Sequence, residues 1–269
     1  MVRKFPLREL EKVLRRIGGL LSSVAYTKWR AKNRKLVLVT GADSSHFKSV
    51  LQFLGSAVTE EPSTLLFFWD LGLSIEQSRH IKAVFPQANY RKFPFRDYPP
   101  FFDIRTEAGQ YAWKPVVISL TADELGPDAN GPLLLWCDSG NIVLRRLDWV
   151  RRYISAEGVF SPFSLGTLEQ WTHPLTSGQF GFSKTALRRR NANGALVGFD
   201  LADARGRELL TRWAFLAQVK DRIAPEGSNR SNHRQDQALL SCLLVESGYP
   251  DFLYRAKWAP EYKLQWDID

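Results

Sequence analysis

Three short apolar runs limit what this chain can become: LVLVT at 36–40, TLLFFWD at 64–70 and PLLLWCD at 132–138. None of them alternates apolar with polar residues, so each reads as a strand covered on both faces. Between and around them, HFKSVLQFLGSAV (46–58) and SIEQSRHIKAVF (74–85) carry apolar residues at helical spacing. A further strand is expected near 90–95, and a further helix is expected to begin around Pro115. Strand–helix–strand alternation at this spacing predicts an α/β fold with a mostly parallel central sheet flanked by helices.

Each run ends at or beside an aspartate: Asp43, Asp70 and Asp138. Open α/β sheets bind ligands beyond the carboxyl ends of their strands, and converging carboxylates there suit hydroxyls, a metal or both. For Asp43, followed by Ser44 and Ser45, capping of the next helix is an equally good reading. Asp138 follows a long apolar run, and burying a carboxylate unanswered costs several kcal/mol. Something must therefore answer its charge.

Two other stretches place charge where a helix begins. Lys114 precedes Pro115, so a cation stands near a helix N-terminus, where the dipole disfavours it. A bound phosphate or a partner carboxylate would remove the anomaly. In HRQDQ, His233, Arg234 and Asp236 bring a proton acceptor, a fixed cation and a carboxylate to the mouth of a strongly apolar helix. Asp236 reads either as a helix cap or as a site carboxylate.

The net charge of +9 belongs to one segment. Residues 1–35 hold eleven Lys or Arg against two Glu, and the remainder, 36–269, is balanced. Nucleic acid is not an expected partner, because a phosphate-tracking groove would leave its charge on the folded body. The segment 1–35 reads as a basic amphipathic helix, weakened at Gly18 and Gly19. It suits peripheral contact with an anionic membrane, or packing on the main domain with a solvated basic face. It is too short in apolar residues to span a bilayer, so the expected location is cytoplasmic, with possible peripheral membrane association. Cys137 and Cys242 lie in apolar runs and read as buried free thiols. Loops of the GxGxxG and GxSxG kinds and HExxH are absent, and His46, His80, His173 and His233 show no zinc-ligand spacing.

The series FFWDLGLS (67–74), FPFRDYPP (93–100), YAWKP (111–115), LLLWCDSG (133–140) and HRQDQALLS (233–241) resembles a group of GT-A-like glycosyltransferases. Their patterns, in the same order, are YDLGLS, FPF..YP, Y.WKP, W.D followed by A or S, and HR.DQ. The likeness runs over roughly residues 36–245 and implies a single GT-A-like domain over 36–269. It further implies transfer of a sugar from a nucleotide diphosphate donor to a hydroxyl of a glycan or lipid-linked acceptor. On that resemblance Asp43 and Asp70 contact the nucleoside, and Lys114 and Arg234 the diphosphate. Asp138 takes the first position of a strand-end Asp-x-Asp motif that holds a divalent cation, Mn or Mg. Gly140 stands where the second acid belongs, which leaves Asp236 or His173 as a second ligand, or no metal at all. Asp236 would accept the acceptor's proton if the reaction inverts configuration, and His233 or Arg234 would stabilise the leaving group. The competing expectation is a protein that keeps the scaffold and binds carbohydrate or a partner without turnover.

Overall fold

The computed structural model describes residues 34–126, 131–249 and 260–269. Of the basic segment 1–35 only Arg34 and Lys35 fall among them, so the amphipathic helix expected there lies outside the described residues. No described helix is long and apolar enough to cross a membrane.

The three apolar runs form β1 (Leu36–Ala42), β2 (Leu65–Asp70) and β4 (Leu133–Cys137), with β3 (Asn89–Lys92) at one edge. β3 stops short of the expected 90–95 because Pro94 has no N–H to donate and the chain turns there into a short 3-10 segment. β1 pairs in parallel with β2 and β4, and β2 with β3. β9 (Leu196–Asp200) then adds antiparallel to β4, and β6 (Val159–Phe160) antiparallel to β9, giving the order β3-β2-β1-β4-β9-β6. Two small antiparallel pairs stand apart: β5 (Ile142–Val143) with β10 (Tyr262–Lys263), and β7 (Phe163–Thr167) with β8 (Arg190–Ala192).

Six helices cover the sheet: α1 (Phe47–Glu60), α2 (Ile75–Val84), α3 (Trp113–Leu125), α4 (Asp148–Glu157), α5 (Ala204–Ala217) and α6 (Gln235–Glu246). Successive strand residues point to opposite faces, and here both faces are dry. Val37, Phe67, Leu134 and Trp136 pack with Val117, Leu210 and Leu240 of α3, α5 and α6. Leu36, Leu38, Phe68 and Leu135 pack with Phe53, Ile81 and Ile154 of α1, α2 and α4. The strands lack polar alternation for that reason, and the mixed α/β architecture is the expected one. Cys137 and Cys242 are buried free thiols.

Candidate active site

The antiparallel turn of β9 determines what meets at the sheet's ligand-binding end. Its first residue, Leu196, pairs with Cys137, the last of β4, so the loop entering β9 lies beside Asp138. The Asp138 N–H donates to Ala195 O (2.9 Å), and Asn141 Nδ2 donates to the same carbonyl (2.6 Å). A pocket of about 360 Å³ opens here, lined by Asp43, Lys114, Asp138, Arg234, Asp236 and Asp267 among others.

Lys114 is the second residue of α3 and is buried. Its Nζ stands 2.9 Å from Asp138 Oδ1 and 3.2 Å from Asp236 Oδ2, and donates to Gly194 O (3.2 Å). Burial alone would lower the Lys114 pKa, but the two carboxylates outweigh it and hold the ammonium above its usual range. The helix-dipole anomaly is thus answered by a pair of carboxylates. Trp136 Nε1 also donates to Asp138 Oδ1 (2.6 Å), which leaves Asp138 Oδ2 without a hydrogen bond among the described residues. Burial raises the Asp236 carboxyl above its ordinary value; Lys114 pulls it back only in part, and Asp138 opposes that pull. Gly194 permits this packing, since a Cβ there would lie 2.9 Å from Asp236 Oδ2.

Asp43 lines the same pocket and also caps the turn that follows β1. Its Oδ1 accepts from the Ser45 N–H (3.0 Å), from Ser45 Oγ (2.7 Å) and from His46 Nδ1 (2.9 Å). Burial would raise this carboxyl, but those hydrogen bonds hold it down at about 2. Arg234 lies at the pocket rim with its guanidinium 4.2 Å over the Trp171 ring.

Asp70, His233 and His173 do not line the pocket. Asp70 is buried and accepts from the N–H groups of Gly72 (2.8 Å) and Leu73 (2.7 Å) and from Tyr90 Oη (2.6 Å). It holds the loop after β2, with its lone pairs filled from within the chain. The His233 ring is fully buried: Nδ1 accepts from the His173 N–H (3.1 Å), and Nε2 donates to Ile223 O (2.8 Å). Neither nitrogen is left to stabilise a leaving group. His173 Nδ1 caps its own short turn through the Leu175 N–H, at 3.3 Å.

Several pocket residues were not singled out by the sequence. Arg230 donates to Tyr111 Oη (2.9 Å) and lies over its ring. Tyr111 ends a run, Glu107 to Tyr111, in which every φ is positive, including four residues that are not glycine. Backbone of that hand costs about 1–2 kcal/mol per residue, and its presence at a pocket rim is typical of functional sites. The segment after β10 also enters: Trp266 N–H donates to Gly140 O (2.6 Å), and Gln265 N–H to Asn141 Oδ1 (3.2 Å). A Cβ on Gly140 would lie 2.2 Å from Asp267 Oδ1 and 2.6 Å from Oδ2. The space that a side chain at 140 would enter is therefore filled by another carboxylate. Among the described residues no three His, Cys, Asp or Glu are grouped as ligands for a metal. The oxygen-only chemistry of Asp138 and Asp267 nevertheless suits a hard cation such as Mg²⁺ or Mn²⁺.

Residues 7–119 match a family described as "Protein of unknown function (DUF1647)". No curated protein matches the chain. Among solved structures it is similar to the galactosyltransferase LgtC in complex with donor and acceptor sugar analogues, at 15% identity and a TM-score of 0.47, covering 77% of this chain and 70% of that one. Mouse xyloside xylosyltransferase 1 in its apo form is similar at 12% identity and 0.49, covering 81% and 83%. Core-mannan synthase A from Aspergillus fumigatus, in a Mn/GDP form, is similar at 9% identity and 0.49, covering 78% and 69%.

Proposed function

We propose that the pocket binds a nucleotide diphosphate-sugar and that the protein transfers the sugar to a hydroxyl of a glycan or lipid-linked acceptor. One observation carries this reading: a buried ammonium, Lys114, joins the carboxylate that closes β4 to the carboxylate that opens α6, inside one pocket. A site for a sugar and a diphosphate needs acceptors for hydroxyls beside cations for phosphate, and this pocket has both.

Arg234 and Arg230 at the rim, with Lys114 inside, answer the diphosphate. Asp43 contacts the ribose, and the nucleoside extends into an adjoining cavity of about 610 Å³ lined by Leu71, Phe95, Arg96 and Ile104. That cavity shares Asp43, Leu71 and Ile104 with the first, and each volume is in the range of small-molecule sites. In an inverting transfer the acceptor oxygen bonds to the anomeric carbon as the bond to the diphosphate breaks. Asp236, with its raised pKa, takes the hydroxyl proton, and Lys114 and Arg234 meet the charge on the leaving oxygen. A divalent cation, when bound at Asp138, supplies further neutralisation of the departing diphosphate.

Incubation with UDP-, GDP- and CMP-sugars, with and without Mn²⁺, tests the reading by donor hydrolysis and thermal shift. At least one donor is expected to be hydrolysed and to raise the melting temperature. Carbohydrate binding without any donor response would instead mark a non-catalytic binding protein.

A further inference from the structure

Backbone strain and an unused acceptor meet at one place in the pocket wall. Six residues other than glycine have positive φ among the described ones. Three of them, Glu107 (+48°), Gln110 (+53°) and Gln235 (+38°), are joined in a row by their side chains. Gln110 Nε2 donates to Glu107 Oε2, and Gln235 Nε2 donates to Gln110 Oε1 (3.5 Å). We infer that this relay presents Gln235 Oε1 as the acceptor for a sugar hydroxyl and so governs which sugar the pocket takes. The inference deepens the nucleotide-sugar reading above and rests on it.

The order of donors and acceptors follows from the carboxylate. Glu107 can only accept, so the NH₂ end of Gln110 faces it and the carbonyl end faces Gln235. Gln235 then turns its own NH₂ to Gln110, which leaves its carbonyl oxygen for the pocket it lines. Gln235 is only 6% exposed, yet its Oε1 accepts no hydrogen bond among the described residues. A buried amide oxygen without a donor is costly until a ligand supplies one. That ligand group must carry a hydrogen to give. An ionised diphosphate has none, whereas every sugar hydroxyl has one. Being neutral, the amide also adds no charge to repel the phosphates beside Asp236. Left-handed backbone at non-glycine residues is unfavourable and persists where the surrounding fold holds a site in shape. Here it brings the turn before α3 to the first residue of α6.

Isothermal titration calorimetry of the full chain with UDP, GDP, UDP-glucose, UDP-galactose, GDP-mannose and the methyl glycosides of those sugars tests this. Gln235→Asn tolerates left-handed backbone but withdraws the amide by one methylene. It should bind UDP and GDP within about twofold of wild type, and weaken the sugar-bearing probe that wild type prefers by about fivefold to tenfold, the size of one hydrogen bond. Glu107→Gln, at an exposed position, frees both amides to flip and should weaken the same probe by about threefold. A loss confined to nucleotide-sugars assigns the hydroxyl to the donor, and one confined to methyl glycosides assigns it to the acceptor. Circular dichroism melting confirms that each variant is folded. Equal affinity of wild type and Gln235→Asn for every sugar-bearing probe overturns the inference. So does a loss that extends equally to UDP and GDP, or no binding of any sugar-bearing probe by the wild type. Turnover is scored separately: the expected binding pattern without donor hydrolysis, or with methyl glycosides alone, keeps the hydroxyl contact and sinks the transferase reading.

Discussion

Lys114 lies 2.9 Å from Asp138 and 3.2 Å from Asp236 with almost none of its side chain in solvent, so its removal leaves two carboxylates facing one another. Lys114→Met should therefore destabilise the fold by about 3–5 kcal/mol, the range for breaking a buried ion pair from one side. Adding Asp236→Asn removes one of the stranded charges and should recover much of that loss while leaving the protein inactive. Urea denaturation of the single and double variants checks this, and equal stability of the two would show that the ammonium does not answer Asp236. At this scale the sequence already pointed to Asp138, Lys114 and Asp236, because a charge set in an apolar run or at the wrong helix end demands a partner. It did not separate them from Asp70 and His233. Asp70 closes an apolar strand and His233 stands just before the helix that Asp236 opens, and only three-dimensional hydrogen bonding shows that the chain itself satisfies them. Asp267 gave no signal at all, since it is an exposed residue whose importance comes from contact with a distant glycine.

The approach to α6 joins a structural group to a reactive one. His233 sits just before the helix, tied to His173 and Ile223, and positions Arg234 and Asp236 at the pocket. Burial chiefly, with the like charge of His173, brings its pKa down from 6.5 to about 4, against the hydrogen bond to Ile223. The unfolded chain therefore takes up a proton first as pH falls. Stability present above pH 6.5 is lost progressively down to about 4, by on the order of 3 kcal/mol. Chemical denaturation at several pH values should show this slope in the wild type and its absence in His233→Asn. A slope shared by both proteins would assign the proton uptake elsewhere. The helix itself is legible from its apolar run and the residues that open it. The left-handed turn at Glu107 to Tyr111 is not, because four of its residues are of types that ordinarily adopt right-handed backbone.

Across the whole molecule, the parallel strands bring Asp43 and Asp138 to one end of the sheet, and the segment from Glu261 to Asp269 closes over that end. Two carboxylates hold the segment at its extremities. Glu261 accepts from the N–H groups of Trp149 (2.7 Å) and Val150 (3.2 Å) at the start of α4. Asp269 Oδ1 accepts from those of Lys48 (2.7 Å) and Ser49 (3.3 Å) at the start of α1. Helix N-termini are short of acceptors and favour negative charge, so the Asp269 anchor contributes about 0.5–2 kcal/mol, whereas at Glu261 burial pushes the carboxyl above its ordinary value and offsets part of the gain from its two N–H partners. The strand order follows from apolar runs that any reader of the sequence can find, whereas this closure depends on pairings between distant residues that no local pattern encodes. Glu261 and Asp269 lie outside the pocket, yet they hold Asp267 against Gly140. Glu261→Ala should accordingly speed amide hydrogen exchange over residues 262–268, with the α/β core still protected. Glu261→Gln keeps an acceptor oxygen for the α4 N–H groups and should fall between Glu261→Ala and wild type in exchange rate. Unchanged exchange in Glu261→Ala would mean that the closing segment is held by β10 and the contacts to Gly140 and Asn141 alone.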